Sequence, residues 1–326
     1  MKKLFATVTL AVAGFSGIVN AQQDPQFTQW MFNKLIYNPG YAGTSGAICG
    51  VAQYRQQWTG FPGNPKTLAF SGDMRLSAVP IGLGLNVISD KISNVNTTFI
   101  RGAASYNVLR LAGGTLGIGL DIGILQKKFN EDWITPEPLE HDNVIPNYTG
   151  PGGVTNPEFN KMSFDVGLGV FYQIPGKFYA GISSTHLPAQ KIKLKEADSI
   201  GFQVSRHYYI MAGYTFQLNK WSKLTPNVFY KFDQAASALD LNLTYLWSDM
   251  IWLGGTYRPN DAAAVLLGYQ GKAGYGNALG YRVGLSYDLP GALGKNSNGS
   301  FELVLGVCYT PRVKKPTTYG NDRFLD

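Results

Sequence analysis

The amino-acid sequence predicts a transmembrane up-and-down antiparallel β-barrel of about 14 strands. Three observations lead to this prediction. The chain of 326 residues begins with a segment that resembles an export signal. No later apolar run approaches the roughly 20 residues that a membrane-spanning helix needs. Most of the later segments alternate apolar and polar residues, as strands with one apolar and one polar face do.

The predicted signal peptide covers residues 1–21. Lys2 and Lys3 precede an apolar stretch over 4–19, and small residues lead up to Ala21. We expect cleavage after Ala21, because signal peptidase reads this order of charge, apolar stretch and small residues. A membrane anchor is the alternative, but the stretch is short for a hydrocarbon core about 30 Å thick, and Pro25 follows soon after it.

We expect the remaining chain to have three parts: an N-terminal segment over 22–44, the barrel over 45–310 and a basic, polar tail over 311–326. No linker divides the barrel into two domains. The 39 glycines, 19 tyrosines and 18 phenylalanines suit the tight turns and aromatic girdles of an outer-membrane barrel. The net charge of +7 comes from residues scattered singly along the chain, so we expect no nucleic-acid partner.

The alternation is clearest over 116–124, where Leu or Ile fills every even position and Gly or Asp every odd one. The same pattern recurs along the chain. The predicted strands are 47–58, 67–76, 81–89, 97–109, 115–125, 164–173, 178–186, 206–217, 223–232, 238–246, 250–258, 262–270, 279–288 and 299–309. Their number is even, as an up-and-down bacterial barrel requires.

The polar faces of these strands are expected to line a watery lumen, because they combine small and charged residues. The candidate lumen-facing residues are Arg55, Asp73, Arg75, Arg101 and Asp121. A secreted sandwich would also alternate, but strands of about 10–12 residues match a tilted membrane crossing better. If the first strand runs outward, the longest links, about 127–161 and 187–204, fall outside the cell.

Two cysteines remain in the whole chain, Cys49 in the first predicted strand and Cys308 in the last. Closure of a barrel brings these strands together, so a disulfide is one possibility. The other, which the usual behaviour of buried cysteine favours, is a pair of free thiols.

An apolar segment stands between the predicted cleavage site and the first strand. Phe27, Met31 and Leu35 recur at helical spacing and predict a short helix, which Asn38-Pro39-Gly40 ends. Its apolar stripe must be buried somewhere. A static plug in the lumen is the favoured role, and a gate or a docking element for periplasmic partners is the alternative. The candidate plug or partner-contact residues are Phe27, Trp30, Met31, Phe32, Leu35 and Ile36.

Short blocks of aromatic, Asn-Pro and charged residues recur through the chain. The N-terminal blocks are Asp24-Pro25-Gln26-Phe27, Met31-Phe32-Asn33, Tyr37-Asn38-Pro39 and Tyr41-Ala42-Gly43. Later blocks are Tyr54-Arg55-Gln56-Gln57-Trp58, His186-Leu187-Pro188, Arg206-His207-Tyr208-Tyr209, Leu253-Gly254 and Ser286-Tyr287-Asp288. Together they resemble the PorP/SprF family of outer-membrane proteins of the Bacteroidetes. The N-terminal block is the most specific part.

The resemblance implies a component of the type IX secretion and gliding machinery. Such a barrel would bind, deliver or retain a secreted surface protein, often an adhesin, that carries a C-terminal sorting domain. Its other expected partners are periplasmic and outer-membrane components of the machinery, the lipid bilayer and lipopolysaccharide. The alternative is a general porin or solute channel, in which lumen charges set ion preference. The tail after Tyr309 departs from barrels that end on an aromatic residue.

No catalytic, metal or cofactor site is expected. The chain has three histidines, and we interpret His186 and His207 as strand-end or girdle residues rather than parts of a triad. Glu137, Glu140 and His141 lie in a Pro-rich outer loop without the fixed spacing of a metal site, so a solvated acidic loop is favoured. Neither a Gly-rich dinucleotide motif nor a P-loop occurs. The sequence therefore predicts no enzyme.

Overall fold

A computed structural model describes residues 24–129, 159–193, 201–233, 236–259, 261–274, 278–291 and 297–311. The predicted signal peptide, most of the long loop that contains Glu137 to Asp142, and the tail beyond 311 lie outside these residues. The barrel strands are β1 (Ile48–Gln56), β2 (Lys66–Arg75), β3 (Ile81–Ile92), β4 (Val95–Leu111), β5 (Gly114–Phe129), β6 (Phe159–Ile174), β7 (Phe178–Thr185), β10 (His207–Tyr214), β12 (Ser222–Phe232), β13 (Ser237–Trp247), β14 (Ile251–Arg258), β15 (Ala262–Ala273), β16 (Leu279–Asp288) and β17 (Ser300–Tyr309). Three further strands are short: β8 (Lys191–Lys193), β9 (Gly201–Gln203) and β11 (Phe216–Gln217).

The 14 long strands close into a single antiparallel barrel. Each strand pairs with its neighbours in chain order, β7 pairs with β10, and β10 pairs with β12. Closure comes from the pairing of β1 with β17, from Ile48 opposite Tyr309 to Gln56 opposite Phe301. The predicted 14-stranded up-and-down barrel is therefore confirmed. None of the helices among the described residues has the length and hydropathy needed to span a membrane.

The two faces of the barrel wall differ in chemistry, because successive side chains of a strand point to opposite sides. On β2, Leu68 and Phe70 are exposed outside, whereas Thr67, Ser71 and Asp73 are buried inside. The other strands repeat this division. The outer face is thus an apolar surface suited to lipid, and the inner face carries the polar side chains.

The links between strands divide the barrel into two ends. We call the end with links 76–80, 112–113, 175–177 and 248–250 the turn end, because these links are short. We call the opposite end, with links 57–65, 186–206 and 289–299, the loop end. The predicted alternation of short and long links is present, and the long links share one end.

The N-terminal segment does not form the predicted helix. Residues Trp30–Phe32, Lys34–Ile36 and Pro39–Tyr41 form three single turns of 3-10 helix instead. They are separated by Asn33 and Asn38, which have extended or irregular backbone angles. The apolar residues are buried as expected, but they are distributed all around the segment and not along one stripe. A surrounding wall explains this difference, since it offers a contact on every side.

The cysteine expectation was wrong in its favoured form. Cys49 and Cys308 lie directly opposite each other in the β1–β17 pairing, and they form a disulfide. Both are half-buried near the turn end. The bond therefore joins the first and last strands across the seam where the barrel closes.

Candidate functional site

The N-terminal segment lies inside the barrel and contacts the inner wall from one end to the other. Phe27, Trp30, Met31, Leu35 and Ile36 are buried, and Phe32 is half-buried. All of these candidate residues therefore contact protein. The segment enters at the turn end, next to β1, and its first described residue, Asp24, reaches the loop end beside His186.

The lumen-facing candidates Arg55, Asp73, Arg101 and Asp121 are buried in the interior, and Arg75 is half-buried. Arg55, Arg101 and Asp121 have almost no accessible surface, so they do not face open water. Asp73 borders a cavity at the turn end. Much of the polar inner wall binds the N-terminal segment. The sequence patterns do not show which wall residue contacts which residue of the segment.

A buried ionic cluster fixes the segment at Thr28. The Arg55 guanidinium lies 2.7 Å from Asp288 Oδ2 and 3.1 Å from Glu302 Oε2. Arg55 also donates to the Thr28 hydroxyl at 2.8 Å, and that hydroxyl donates to Asp288. Glu302 accepts the backbone N–H groups of Thr28 at 2.7 Å and Gln29 at 2.9 Å. We call Arg55, Asp288, Glu302 and Thr28 the Arg55 cluster.

Closer to the turn end, the wall hydrogen-bonds to the backbone of the segment. The carbonyl oxygens of Leu35, Tyr37 and Gly40 accept from side chains of the wall, and the N–H of Gly43 donates to Asp73 at 2.9 Å. The donors to the three carbonyls are Asn86 at 3.1 Å, Ser183 at 2.6 Å and Ser105 at 3.1 Å. The segment and the wall thus satisfy each other's buried polar groups.

Aromatic packing fills the space between these polar contacts. The rings of Trp30 and Phe229 stack with centroids 4.8 Å apart. Tyr37 packs on Phe229 at 4.7 Å, and Phe32 packs on Trp252 at 4.8 Å. Such ring contacts add to the stabilisation that burial alone provides.

The loop end of the segment meets a group of titratable side chains. His186 Nε2 lies 2.9 Å from Asp24 Oδ1, and its Nδ1 lies 3.0 Å from Asp165 Oδ1. Burial lowers the pKa of His186, but the carboxylates of Asp24 and Asp165 outweigh it and raise the pKa to about 9. His207 is buried beside them. Both histidines lie at strand ends as expected, yet they belong to the interior and not to an aromatic girdle.

A comparison with models of protein families identifies the family of this chain. A family model described as type IX secretion system membrane protein PorP/SprF matches residues 19–307. The chain belongs to this family. No curated protein sequence matches this PorP/SprF protein.

Solved structures similar to this chain include a channel, an outer membrane protein and a porin, each of low sequence identity. The CymD monoaromatic hydrocarbon channel is 10% identical, with 90% of this chain and 95% of that chain covered and a TM-score of 0.49. The Acinetobacter baumannii outer membrane protein Omp33 is 8% identical over 81% and 96% of the chains, with a TM-score of 0.39. The KdgM porin is 11% identical over 81% and 100%, with a TM-score of 0.35.

The turn end of this PorP/SprF protein remains hollow. A cavity of about 800 Å³ opens there, and its inner surface includes Met31, Phe32 and Lys34 of the segment. Burial, and then repulsion by Arg282 on the facing wall, lower the pKa of Lys34 to about 7. Its ammonium group also lies 4.4 Å from the centre of the Tyr179 ring. The segment therefore forms the inner end of a vestibule that opens at the turn end.

Proposed function

We propose that this barrel is an outer-membrane platform that binds, delivers or retains a secreted surface protein carrying a C-terminal sorting domain. The signal peptide would be cleaved after Ala21, the loop end would face the outside, and the turn end would face the periplasmic secretion machinery. Membership in the PorP/SprF family supports the link to type IX secretion. The general porin or solute channel is the competing hypothesis.

The observation that carries this proposal is the N-terminal segment across the lumen. An open channel needs a continuous water-filled path, but Trp30, Leu35 and Tyr37 fill the interior between opposite walls. The Arg55 cluster fixes the segment through charged hydrogen bonds, which are stronger than neutral ones. The segment therefore acts as a plug, and the work of the protein falls to its two ends.

The loop end offers a rigid apolar surface for a protein partner. The link 57–65 exposes Trp58 and Phe61, which are 39% and 50% accessible. Its backbone is bound to the neighbouring link, since Thr59 and Gly299 pair at 2.8 Å, and to itself between Gln57 and Pro65 at 2.9 Å. Rigid loops on a barrel scaffold are suited to recognition, and exposed aromatic side chains provide contact area.

The test is to isolate the tagged barrel from its own cells and to compare the surface proteins with those of a deletion strain. We expect one sorting-domain protein to co-purify and to be lost from the surface of the deletion strain. Substitution of Trp58 and Phe61 by Ala is expected to reduce this capture. Trp221, which is 66% accessible at the turn end, provides the matched Ala control. Unchanged surface proteins in the deletion strain would refute the platform proposal.

A second experiment separates the platform from the channel. In planar bilayers the intact barrel should show little steady conductance, whereas a variant that lacks residues 24–40 should conduct. If the intact barrel conducts as an open pore, the channel hypothesis is favoured. Substitution of Asp73 or Arg75 should then change its ion selectivity.

A further inference from the structure

We propose that Asp24, His186 and His207 form a binding site for one divalent transition-metal ion of the zinc class. The site lies inside the loop end of the barrel, where the start of the N-terminal segment meets β10 and the residue after β7. This inference is independent of the secretion role, since it concerns how the segment is held.

The three residues converge on one point. One atom from each of them, a carboxylate oxygen and two ring nitrogens, lies within 4.8 Å of the others. His186 Nε2 and Asp24 Oδ1 are already 2.9 Å apart. Ligands of a tetrahedral zinc ion stand about 3.3 Å apart, because each bond is about 2.0–2.1 Å long. A contraction of up to about 1.5 Å in these separations would therefore bring all three into coordination.

The remaining polar atoms of these residues lie close to the kinds of group that usually stand beside metal ligands. His186 Nδ1 faces Asp165 Oδ1 at 3.0 Å, and His207 Nδ1 faces the Ser205 carbonyl oxygen at 3.0 Å. The Tyr209 hydroxyl donates to Asp24 Oδ2 at 2.6 Å. A ligating histidine commonly gives its second N–H to a carboxylate or a carbonyl, and a ligating carboxylate is commonly hydrogen-bonded. Nδ1 of each ring thus lies next to such a group, which leaves Nε2 of each ring for the ion.

One nitrogen at this point lacks a hydrogen bond. His207 is 5% accessible, and its Nε2 has no hydrogen-bond partner among the described residues. The nearest acidic oxygen is Asp233 Oδ2, at 3.6 Å, which could approach as a fourth ligand. A buried imidazole nitrogen without a bond is costly unless a ligand occupies it.

The ligand types identify the class of ion. Two imidazoles with one or two carboxylates suit zinc and similar first-row transition metals, whereas calcium and magnesium prefer ligands that are all oxygen atoms. Bound there, the ion would join the N-terminal segment to two places on the wall, β10 and the end of β7. It would thus attach the segment to β10 and the end of β7, whereas the Arg55 cluster attaches it to β1, β16 and β17.

The test uses the purified full-length barrel in detergent, stripped with a chelator and titrated with Zn²⁺ alone. We expect one bound zinc ion per chain by elemental analysis and calorimetry, and no comparable binding of Mg²⁺ or Ca²⁺. His207→Gln should lose the ion, and Asp165→Asn should weaken binding by about 10- to 100-fold. His141→Gln, which changes the one histidine outside the cluster, is the matched control and should bind as the unaltered chain does.

Two results would overturn the site: uptake of much less than one zinc ion per chain, or retention of the ion by His207→Gln. Gel migration before and after boiling reports whether each variant is folded. If His207→Gln does not fold, Co²⁺ in the unaltered chain decides, because low-coordinate Co²⁺ with imidazole ligands absorbs visible light. Absence of that band, or its persistence after excess Zn²⁺, would also overturn the site.

Discussion

Replacement of Arg55 by Met tests whether the ionic cluster holds the N-terminal segment inside the barrel. Arg55 is 1% accessible, and its guanidinium is within 3.1 Å of both Asp288 and Glu302. Met has a similar apolar stem but no charge, so the variant leaves Glu302 buried without its ion-pair partner and leaves Asp288 with Arg258 alone, at 3.9 Å. Removal of one partner from a buried pair costs about 3–5 kcal/mol.

The assay is the temperature at which the compact gel band of the folded barrel converts to the unfolded band. A loss of about 3–5 kcal/mol corresponds to a fall on the order of 10 °C. The double variant Arg55→Met, Glu302→Gln should recover part of this loss, because one uncompensated charge is gone. Arg75→Met on the neighbouring strand is the control, since Arg75 makes no ion pair among the described residues. If Arg55→Met and Arg75→Met convert at the same temperature, the cluster does not hold the segment.

Three further predictions concern the seam, the fit of the segment and pH. Cys49→Ser, or reduction, should lower stability by about 2–5 kcal/mol; an unchanged conversion temperature would contradict a closed seam disulfide. Gly119→Ala should lower the free energy of unfolding by about 1–3 kcal/mol, because the added Cβ would overlap the Pro39 backbone. Gly102→Ala should lower it less, because the nearest atom to its Cβ is 3.9 Å away. Equal losses in the two variants would contradict the close approach of the segment to the wall. The pKa of Lys34 is lowered to about 7 in the folded chain and is near 10.4 in the unfolded chain. Between pH 7 and about 10.4 the folded chain therefore binds fewer protons than the unfolded chain, so the free energy of unfolding should rise with pH in this range. Lys34→Met should remove this slope in conversion temperature, and an unchanged slope would refute the assignment.

The barrel itself was predictable because each strand carries its own evidence. Residues 116–124 of β5 alternate strictly, and lipid outside with polar contacts inside requires that pattern over a whole crossing. For most strands the predicted bounds therefore differ from the observed ones by at most a few residues, and the prediction 279–288 coincides with β16. The largest differences occur at β5 and β6, which extend beyond the apolar pattern towards the long loop.

The contents of the lumen were not predictable in the same way. Alternation shows that Asp73, Asp288 and Glu302 face inward, but it does not tell whether water or protein meets them. The partners of Arg55 are 233 and 247 residues away in the chain. Such pairs follow from the register of β1 against β17 and from the path of the segment. The 3-10 turns were also not predicted. The spacing of apolar residues alone does not distinguish a helix with one apolar face from a segment that is enclosed by protein on all sides.

The choice of 3-10 turns has a physical reason that links the segment to the wall. A regular α-helix bonds most of its backbone groups internally and would leave the polar inner wall without partners. Three single turns leave carbonyl oxygens and N–H groups available, and the wall binds them through Asn86, Ser105, Ser183 and Asp73. In a water-filled barrel these same side chains would be solvated and the segment would gain little by entering. The match between the unpaired backbone groups of the segment and a polar wall explains why the polar inner faces of the strands need not indicate a pore.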